Sequence, residues 1–278
     1  MTSVTGLQVA FLFFALHFLA MLVTRFLADL GNWPRNTFTV MGQWITVILE
    51  ALVLLAVPSL RRWCIAELRI PIPAGSWPEL VSVTAIKVAI PFAVLGGGVV
   101  WMLAWAPPGA LPPGYRFNDP VLAWEATLLP AKVLHMVLFS WFAAPLFEEL
   151  VFRGLLFRAF ERHWGWPCAA LATSLLFGIS HPDRMIATGL GGLVLACVLR
   201  RTGTLRACVL LHALYNVLVS WPLLGRVLLS PRSGDLAAPA TWALPLACLA
   251  FVAVALPVYL WLAAHPRREF AAAAFPQR

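Results

Sequence analysis

Apolar runs long enough to cross a lipid bilayer recur along this chain, and short clusters of charged residues separate them. A transmembrane helix needs about 20 consecutive, mainly apolar residues. The bilayer core offers no hydrogen-bond partners to an exposed backbone, so an open chain crosses it only as helices. The sequence therefore predicts an all-α, polytopic transmembrane helical bundle.

We expect a single integral membrane domain over residues 1–278, with about eight spanning helices. A proline-rich stretch at 106–129 is predicted to be a loop outside the cytoplasm, because its prolines cannot continue a helix. The predicted spans are 8–28, 40–60, 80–105, 130–157, 166–181, 184–200, 204–221 and 241–263.

The composition excludes a water-soluble domain and argues against a nucleic-acid partner. Hydrophobic residues make up 61% of the chain and charged residues only 12%, whereas soluble domains contain about 25% charged residues. The net charge of +8 comes largely from arginines between apolar runs, where such residues orient helices in the membrane. We therefore expect the lipid bilayer, and not nucleic acid, as the partner of this basic chain.

The distribution of arginine predicts the orientation. The connections after the second, fourth and sixth spans are richer in arginine than the connections on the opposite side. Because positive residues are retained in the cytoplasm, we expect both termini there and the protein in the plasma (inner) membrane. The residues concerned are Arg61, Arg62, Arg69, Arg158, Arg162, Arg200, Arg201 and Arg206.

Two adjacent carboxylates and an arginine interrupt the fourth apolar run. Ionisable groups at bilayer depth are costly, so such a cluster indicates a functional site. Glu149 and Arg153 are four residues apart, with the acid first, which is the favourable order for a helical ion pair. Glu148 is turned by about 100° around the helix. It has no local partner and is the candidate reactive carboxylate.

Two further polar pairs at helical spacing follow this cluster. Phe177 precedes His181 by four residues, and His212 precedes Asn216 by four, so each pair lies on one helix face. A carboxylate in a water-poor setting can act as a general base, with imidazole and amide groups as donors to an oxyanion. This combination predicts attack of an activated water on a carbonyl.

The ordered motifs E-E-x-x-x-R, F-x-x-x-H and H-x-x-x-N resemble the CPBP family of CAAX proteases and bacteriocin-processing enzymes, also called Abi. The resemblance covers residues 147–216, within catalytic core helices at 130–221. It implies an intramembrane endopeptidase. It also implies a substrate delivered in the membrane, either a lipidated protein or a leader or sorting peptide.

The resemblance also implies roles for individual residues. Glu148 would be the general base that activates water, and His181 would hold that water. His212 and Asn216 would line the oxyanion hole.

The remaining motif residues are expected to support the site. By the same resemblance, Glu149 and Arg153 would position Glu148, although their spacing is equally that of a structural ion pair. Phe177 is predicted to pack against the site. His17 and His135 lie outside the motifs and are interpreted as packing residues.

Metal dependence is open from the residues alone. Glu148, His181 and His212 are the ligand types of a catalytic zinc. The sequence has no H-E-x-x-H motif, and Arg153 opposes the binding of a further cation nearby. We therefore expect no cofactor, with zinc on these three residues as the alternative.

Two other functions remain as alternatives. One is a catalytically silent bundle that binds a partner or confers bacteriocin immunity. The other is a proton-coupled transporter, in which Glu50, Lys87, Glu148 and Glu149 would relay protons. No inverted repeat is evident, which disfavours transport. Glu50 and Lys87, in the second and third spans, are candidates to pair with each other.

Overall fold

The structure, a computed structural model, describes residues 3–31, 35–105, 134–181, 184–220 and 239–265. Helices account for almost all of these residues, and the described ranges contain no β-strand, so the all-α prediction is confirmed. The predicted loop at 106–129 lies outside the described residues. The helices are α1 (Ser3–Gly31), α2 (Arg35–Ala56), α3 (Pro58–Arg69), α4 (Trp77–Trp105), α5 (Ala144–Glu149), α6 (Arg158–Ile179), α7 (Met185–Thr202), α8 (Leu205–Ser220) and α9 (Pro239–Ala264).

Among the described residues, fewer helices than the eight predicted spans are long and apolar enough to cross a membrane. By length and composition, the described residues contain four such helices, or five if a bent pair forms one span. The predicted count of eight is therefore not confirmed, although each predicted range overlaps a helix. In the motif-bearing region, α8 is only 16 residues long. The four qualifying segments are Ala10–Gly31, Ala74–Gly98, Met185–Thr202 and Ala243–Ala264.

A sharp bend lies within the predicted span at 40–60. The chain turns by 102° between α2 and α3. Val57 is extended, with φ −101° and ψ 98°, and Pro58 opens α3. The residue before a proline disfavours the helical region, while proline suits the first helical position. Leu60 and Cys64 on α3 are buried against the bundle, so α3 is amphipathic. Its axis differs in direction from that of α2.

A glycine breaks α6 where the sequence predicts the boundary between two spans. Gly165 has φ 75° and ψ 165°, a conformation that is open essentially to glycine alone. Helix resumes at once with Pro167 in its first turn. The break separates the segment that carries the two glutamates from the segment that carries Phe177.

Helix α7 lies at the centre of the bundle. Val194, Leu195 and Val198 on α7 are fully buried. It approaches α6 closely, because a Cβ on Gly178 would lie 2.7 Å from the carbonyl oxygen of Met185. The helix ends at Gly203, which has φ 68° and donates to the carbonyl of Leu199 at 2.8 Å. This left-handed glycine cap turns the chain directly into α8.

One end of the bundle is held by ion pairs between distant parts of the chain. Glu67 on α3 pairs with Arg158 on α6, and Glu161 pairs with Arg200 at 3.4 Å. Glu79 on α4 pairs with Arg201 on α7. These contacts bring the connections after the second, fourth and sixth predicted spans to the same end. We refer to the residues Glu67, Glu79, Arg158, Glu161, Arg200 and Arg201 as the ion-pair end.

Candidate active site

The two adjacent glutamates lie in the short helix α5, between two π-helical segments, Met136–Ala143 and Leu150–Phe157. Such wide turns are rare and occur often at functional sites. Glu149 is completely buried, whereas the side chain of Glu148 remains 27% exposed. The two carboxylates therefore face different surroundings.

Glu149 is held by two partners. Its carboxylate contacts Arg153 twice at 3.2 Å, through Nη1 and through Nε. It also lies 2.8 Å from Nδ1 of His212 on α8. The Glu149–Arg153 pair follows from their spacing, but the bond to His212 does not. Glu149 thus fixes the orientation of an imidazole from another helix.

Arg153 links α7 to this carboxylate. Its Nη2 donates to the backbone carbonyl of Gly192 at 2.9 Å, and its guanidinium lies 4.7 Å from the centre of the Phe177 ring. A Cβ on Gly192 would lie 3.0 Å from Nη2 and 3.1 Å from the Phe177 ring. The glycine therefore provides the space that the buried arginine occupies. Phe177 packs against Arg153, in agreement with the packing role predicted for it.

Glu148 lies between the two motif histidines. Its Oε1 is 3.9 Å from Nε2 of His181, and its Oε2 is 3.8 Å from Nε2 of His212. These separations exceed the range of direct hydrogen bonds. They fall in the range where a bridging water is to be considered. Three of the four predicted catalytic residues are thus brought together around one small gap.

The partners of the two rings determine which nitrogen carries hydrogen. A carboxylate oxygen can only accept, so Nδ1 of His212 donates to Glu149. Nδ1 of His181 lies 3.0 Å from the carbonyl oxygen of Phe177, which also only accepts. It lies 3.1 Å from Oγ of Ser180, whose hydrogen is donated to the same carbonyl. When neutral, both rings therefore direct a bare Nε2 towards Glu148. These atoms on the two sides of the gap are hydrogen-bond acceptors, which suits a molecule that donates hydrogen bonds, such as water.

Asn216 follows His212 by one turn, but its contacts are with a different segment. Its Nδ2 donates to the backbone carbonyl of Ser140 at 2.7 Å. Trp141 donates to the hydroxyl of Ser220 at 2.8 Å, and this hydroxyl donates to the carbonyl of Asn216. Among the described contacts, none joins Asn216 to Glu148. The amide therefore fixes α8 against the first π-helical segment.

Residues 130–218 match the family model described as type II CAAX prenyl endopeptidase, Rce1-like. Over this range, which we call the Rce1-like core, the chain is similar to that family. The match confirms the resemblance drawn from the three motifs, and it lies over the helices that form the glutamate and histidine cluster. No curated protein and no solved structure matches the chain.

The Rce1-like family is a protease family, and several helices are apolar and long enough to span a bilayer. These observations indicate an integral membrane protein, of which residues 130–218 are similar to a protease family. The silent-bundle and transporter alternatives gain no support from the match.

Two charged residues near the Rce1-like core differ from expectation. The described contacts contain no ion pair between Glu50 and Lys87. Instead, Nζ of Lys87 lies 4.3 Å from the centre of the Tyr215 ring. His135 stacks on Phe139 with ring centres 5.0 Å apart, as expected for a packing residue.

Sequence reasoning missed the partners that fix the site from other helices. His212 donates to Glu149, and Arg153 donates to the carbonyl of Gly192. Both hydrogen bonds join residues that are far apart in the chain. Local spacing carries no signal for such contacts. The sequence shows adjacent glycines at 191 and 192, but it does not show that the side chain of Arg153 fills the space beside Gly192.

Proposed function

We propose that the chain is an intramembrane endopeptidase in which Glu148 activates a water molecule for attack on a peptide carbonyl. The observation that supports this proposal is the gap between Glu148 and the two Nε2 atoms, at 3.9 and 3.8 Å. Water can donate one hydrogen to the carboxylate and the other to an imidazole. Its oxygen lone pair then remains for the carbonyl carbon.

Each step of hydrolysis has a group in this arrangement. As the water oxygen bonds to the carbonyl carbon, Glu148 takes one water proton, and the carbonyl oxygen becomes an oxyanion. When the C–N bond breaks, the protonated Glu148 gives that proton to the leaving amine. A positioned general base of this kind contributes roughly 10²–10⁴-fold in rate. His181 holds the water by accepting its second hydrogen.

The oxyanion requires donors, which we assign to α8. The Nδ2 of Asn216 carries two hydrogens, and Ser140 takes one of them. We propose that the other is offered to the oxyanion. His212 becomes a donor at Nε2 only when protonated, and its imidazolium then lies between the carboxylates of Glu148 and Glu149. Glu149 and Arg153 thus act through His212 in this proposal.

We further propose that the reaction is metal-free. In the described part of the chain, no group of three His, Cys, Asp or Glu side chains is arranged to hold a metal ion. The buried cations of Arg153 and Lys87 also disfavour another positive charge nearby. This proposal predicts activity that survives exhaustive chelation. Loss of stoichiometric zinc together with activity, and recovery of both on adding zinc, would instead make Glu148, His181 and His212 ligands.

The substrate and the orientation belong to the same proposal. We propose a membrane-associated substrate, first a prenylated protein C-terminus and second a leader or sorting peptide. We propose that the protein lies in the plasma (inner) membrane with both termini in the cytoplasm. Eight helical segments would lie in the bilayer. This orientation is supported by the ion-pair end, because Arg201 also donates to the carbonyl of Leu262 near the end of α9 at 2.8 Å.

The experiment is a cleavage assay with purified enzyme in lipid vesicles. A prenylated peptide with a CAAX end is offered beside the same peptide without the prenyl group, before and after chelation. We expect the wild type to cleave the prenylated peptide both before and after chelation, and Glu148→Gln to cleave almost none of it. Incorporation of ¹⁸O from labelled water into the new carboxylate identifies hydrolysis. Equal cleavage by Glu148→Gln would reject the catalytic assignment.

A further inference from the structure

Helix α3 lies between the ends of two membrane helices, and the proposed reaction gives it no role. It follows α2, which ends at Ala56, and precedes the candidate span Ala74–Gly98. Its axis makes an angle of 102° with that of α2, so α3 runs across the end of α2 and does not extend it. Arginine side chains in the hydrocarbon core are costly, which argues against α3 completing a span. We therefore place α3 at the level of the lipid headgroups.

The two faces of α3 have different surroundings. Leu60 and Cys64 are buried against the bundle. Arg62, Ile65 and Arg69 are exposed and are spaced three and four residues apart, so they share the opposite face of the helix. We call these three residues the basic face of α3. Arginine stems lie readily along apolar surface while the charged heads stay with polar groups, so this combination suits the boundary between headgroups and acyl chains.

The segment around α3 exposes several large apolar side chains. Val57, Ile65, Ile70 and Trp77 are all exposed. Tryptophan is enriched where membrane proteins meet the headgroups, and clustered apolar residues on a surface mark contact with a membrane or a partner. Water alone gives such side chains no favourable surroundings, whereas the acyl boundary does.

The arginines of the basic face differ from those of the ion-pair end. Every arginine of the ion-pair end is paired with a glutamate. Among the described contacts, Arg62 and Arg69 have no carboxylate partner. Arg61, also on α3, donates to the carbonyl of Leu55 at 3.3 Å and so is held on the end of α2. The basic face therefore carries positive charge that the described side chains do not neutralise.

A contact with α8 extends this charged surface. The hydroxyl of Thr204 donates to the carbonyl of Ile70 at 3.0 Å. This bond holds the start of α8 beside the end of α3. Arg206, in the first turn of α8, is exposed and also lacks a carboxylate partner within the described ranges. Positive charge thus continues from the basic face onto the neighbouring helix.

We infer that the basic face of α3 binds the headgroups of anionic phospholipids in the leaflet next to it. Phosphate oxygens accept hydrogen bonds from the guanidinium groups of Arg62 and Arg69, and Ile65 lies among the first acyl carbons. Anionic lipids give the cytoplasmic leaflet its negative surface potential, so the inference agrees with the proposed orientation. It does not depend on peptidase activity, because lipid binding is measured without a substrate.

The test is thermal unfolding of the purified full chain in a neutral detergent, with phosphatidylglycerol or phosphatidylcholine of the same acyl chains added. Phosphatidylglycerol should raise the unfolding temperature by about 2–4 °C more than phosphatidylcholine, because the lipid binds the folded protein. High salt should reduce this difference. Equal effects of the two lipids would contradict the inference. Equal stabilisation by inorganic phosphate would show that the surface binds a free anion and would overturn the lipid assignment.

Variants locate the effect on α3. Arg62→Gln with Arg69→Gln should remove most of the difference between the two lipids, whereas Arg62→Lys with Arg69→Lys should retain most of it. Arg25→Gln is the matched control, because Arg25 is an exposed arginine on α1, outside this surface, and the difference should persist there. Loss in the control to the same extent would show a general effect of charge and reject the site.

Ile65→Ser tests the depth of the helix, since it retains both charges. We expect a smaller difference between the lipids, because the acyl contact is lost. An unchanged difference would place the basic face in water and contradict the interfacial position. If the double glutamine variant does not fold, the lysine and serine variants decide by the same measurement.

Discussion

The protein contains two groups of buried or half-buried arginine and glutamate side chains, and they differ in how completely the carboxylates are satisfied. At the ion-pair end, Arg158 contacts both oxygens of Glu67, and Arg201 contacts both oxygens of Glu79. In the candidate active site, Arg153 and His212 both contact the carboxylate of Glu149. Glu148, one residue earlier, has both oxygens more than 3.5 Å from the nearest histidine nitrogens.

In the proposed mechanism, this difference separates structural ion pairs from a reactive carboxylate. A two-point arginine–carboxylate contact stabilises the charged carboxylate and so opposes its protonation. A carboxylate that faces two acceptor nitrogens across a gap retains its capacity to take a proton. We therefore expect neutralisation of Glu148 or Glu149 to reduce cleavage, and neutralisation of a glutamate at the ion-pair end to leave cleavage unchanged.

The largest effect is expected at Glu149. Glu149→Gln leaves the guanidinium of Arg153, which is fully buried, without its counter-ion. Breaking a buried pair by removing one partner destabilises a protein by about 3–5 kcal/mol. Thermal melts in detergent should show this loss, and cleavage should fall with it because a neutral amide replaces the carboxylate that orients His212.

Glu148→Gln is the matched control for that experiment, since it makes the same chemical change one residue away. Its side chain is part-exposed and has no direct ion pair with a lysine or arginine among the described contacts. The control should unfold much closer to the wild type than Glu149→Gln does. Equal loss of fold in both variants would remove the distinction between the two glutamates.

The second effect is on the rate of cleavage by Glu148→Gln. The amide cannot take a proton from water, although its shape is similar. We expect cleavage to fall by at least about 100-fold, the lower range for a general base, while the protein remains folded. Initial rates on the prenylated peptide measure this change. A loss of only a few-fold would mean that another group activates the water.

A third prediction concerns the space that holds Arg153. Gly192→Ala would place a methyl group 3.0 Å from Nη2 of Arg153 and 3.1 Å from the Phe177 ring. Overpacking of this kind costs about 1–3 kcal/mol, so we expect a lower unfolding temperature and a reduced rate. Gly97→Ala in α4 is the control, because a Cβ there has no neighbour within 4 Å. If the two variants behave alike, the close fit around Arg153 is wrong.

The sequence was a good guide where a local pattern determines the structure. The apolar runs predicted helices, and the spacing of Glu149 and Arg153 predicted their ion pair. The three motifs predicted the family that residues 130–218 match. Each of these inferences depends on residues within one helix or on an ordered set of short motifs.

The sequence was a poor guide to contacts between helices. Apolar length suggested one span at 40–60 but gave no sign of the bend, where Pro58 begins a new helix at 102° to α2. Glu50 and Lys87 had opposite charges in neighbouring spans, yet Lys87 lies against Tyr215. Such outcomes depend on how helices rotate against each other, which hydrophobic periodicity does not determine.

The smallest effect is expected at the ion-pair end, with Glu67→Gln. The side chains of Arg158 and Glu67 are 27% and 13% exposed, so water and salt screen the pair more than they screen Arg153. Pairs near the surface usually contribute about 1 kcal/mol or less, and a free Arg158 can remain hydrated. We therefore expect a small decrease in unfolding temperature, further reduced by added salt, and an unchanged rate of cleavage. Measured beside Glu149→Gln, a comparable loss of activity in Glu67→Gln would show that both groups of ion pairs support the active site.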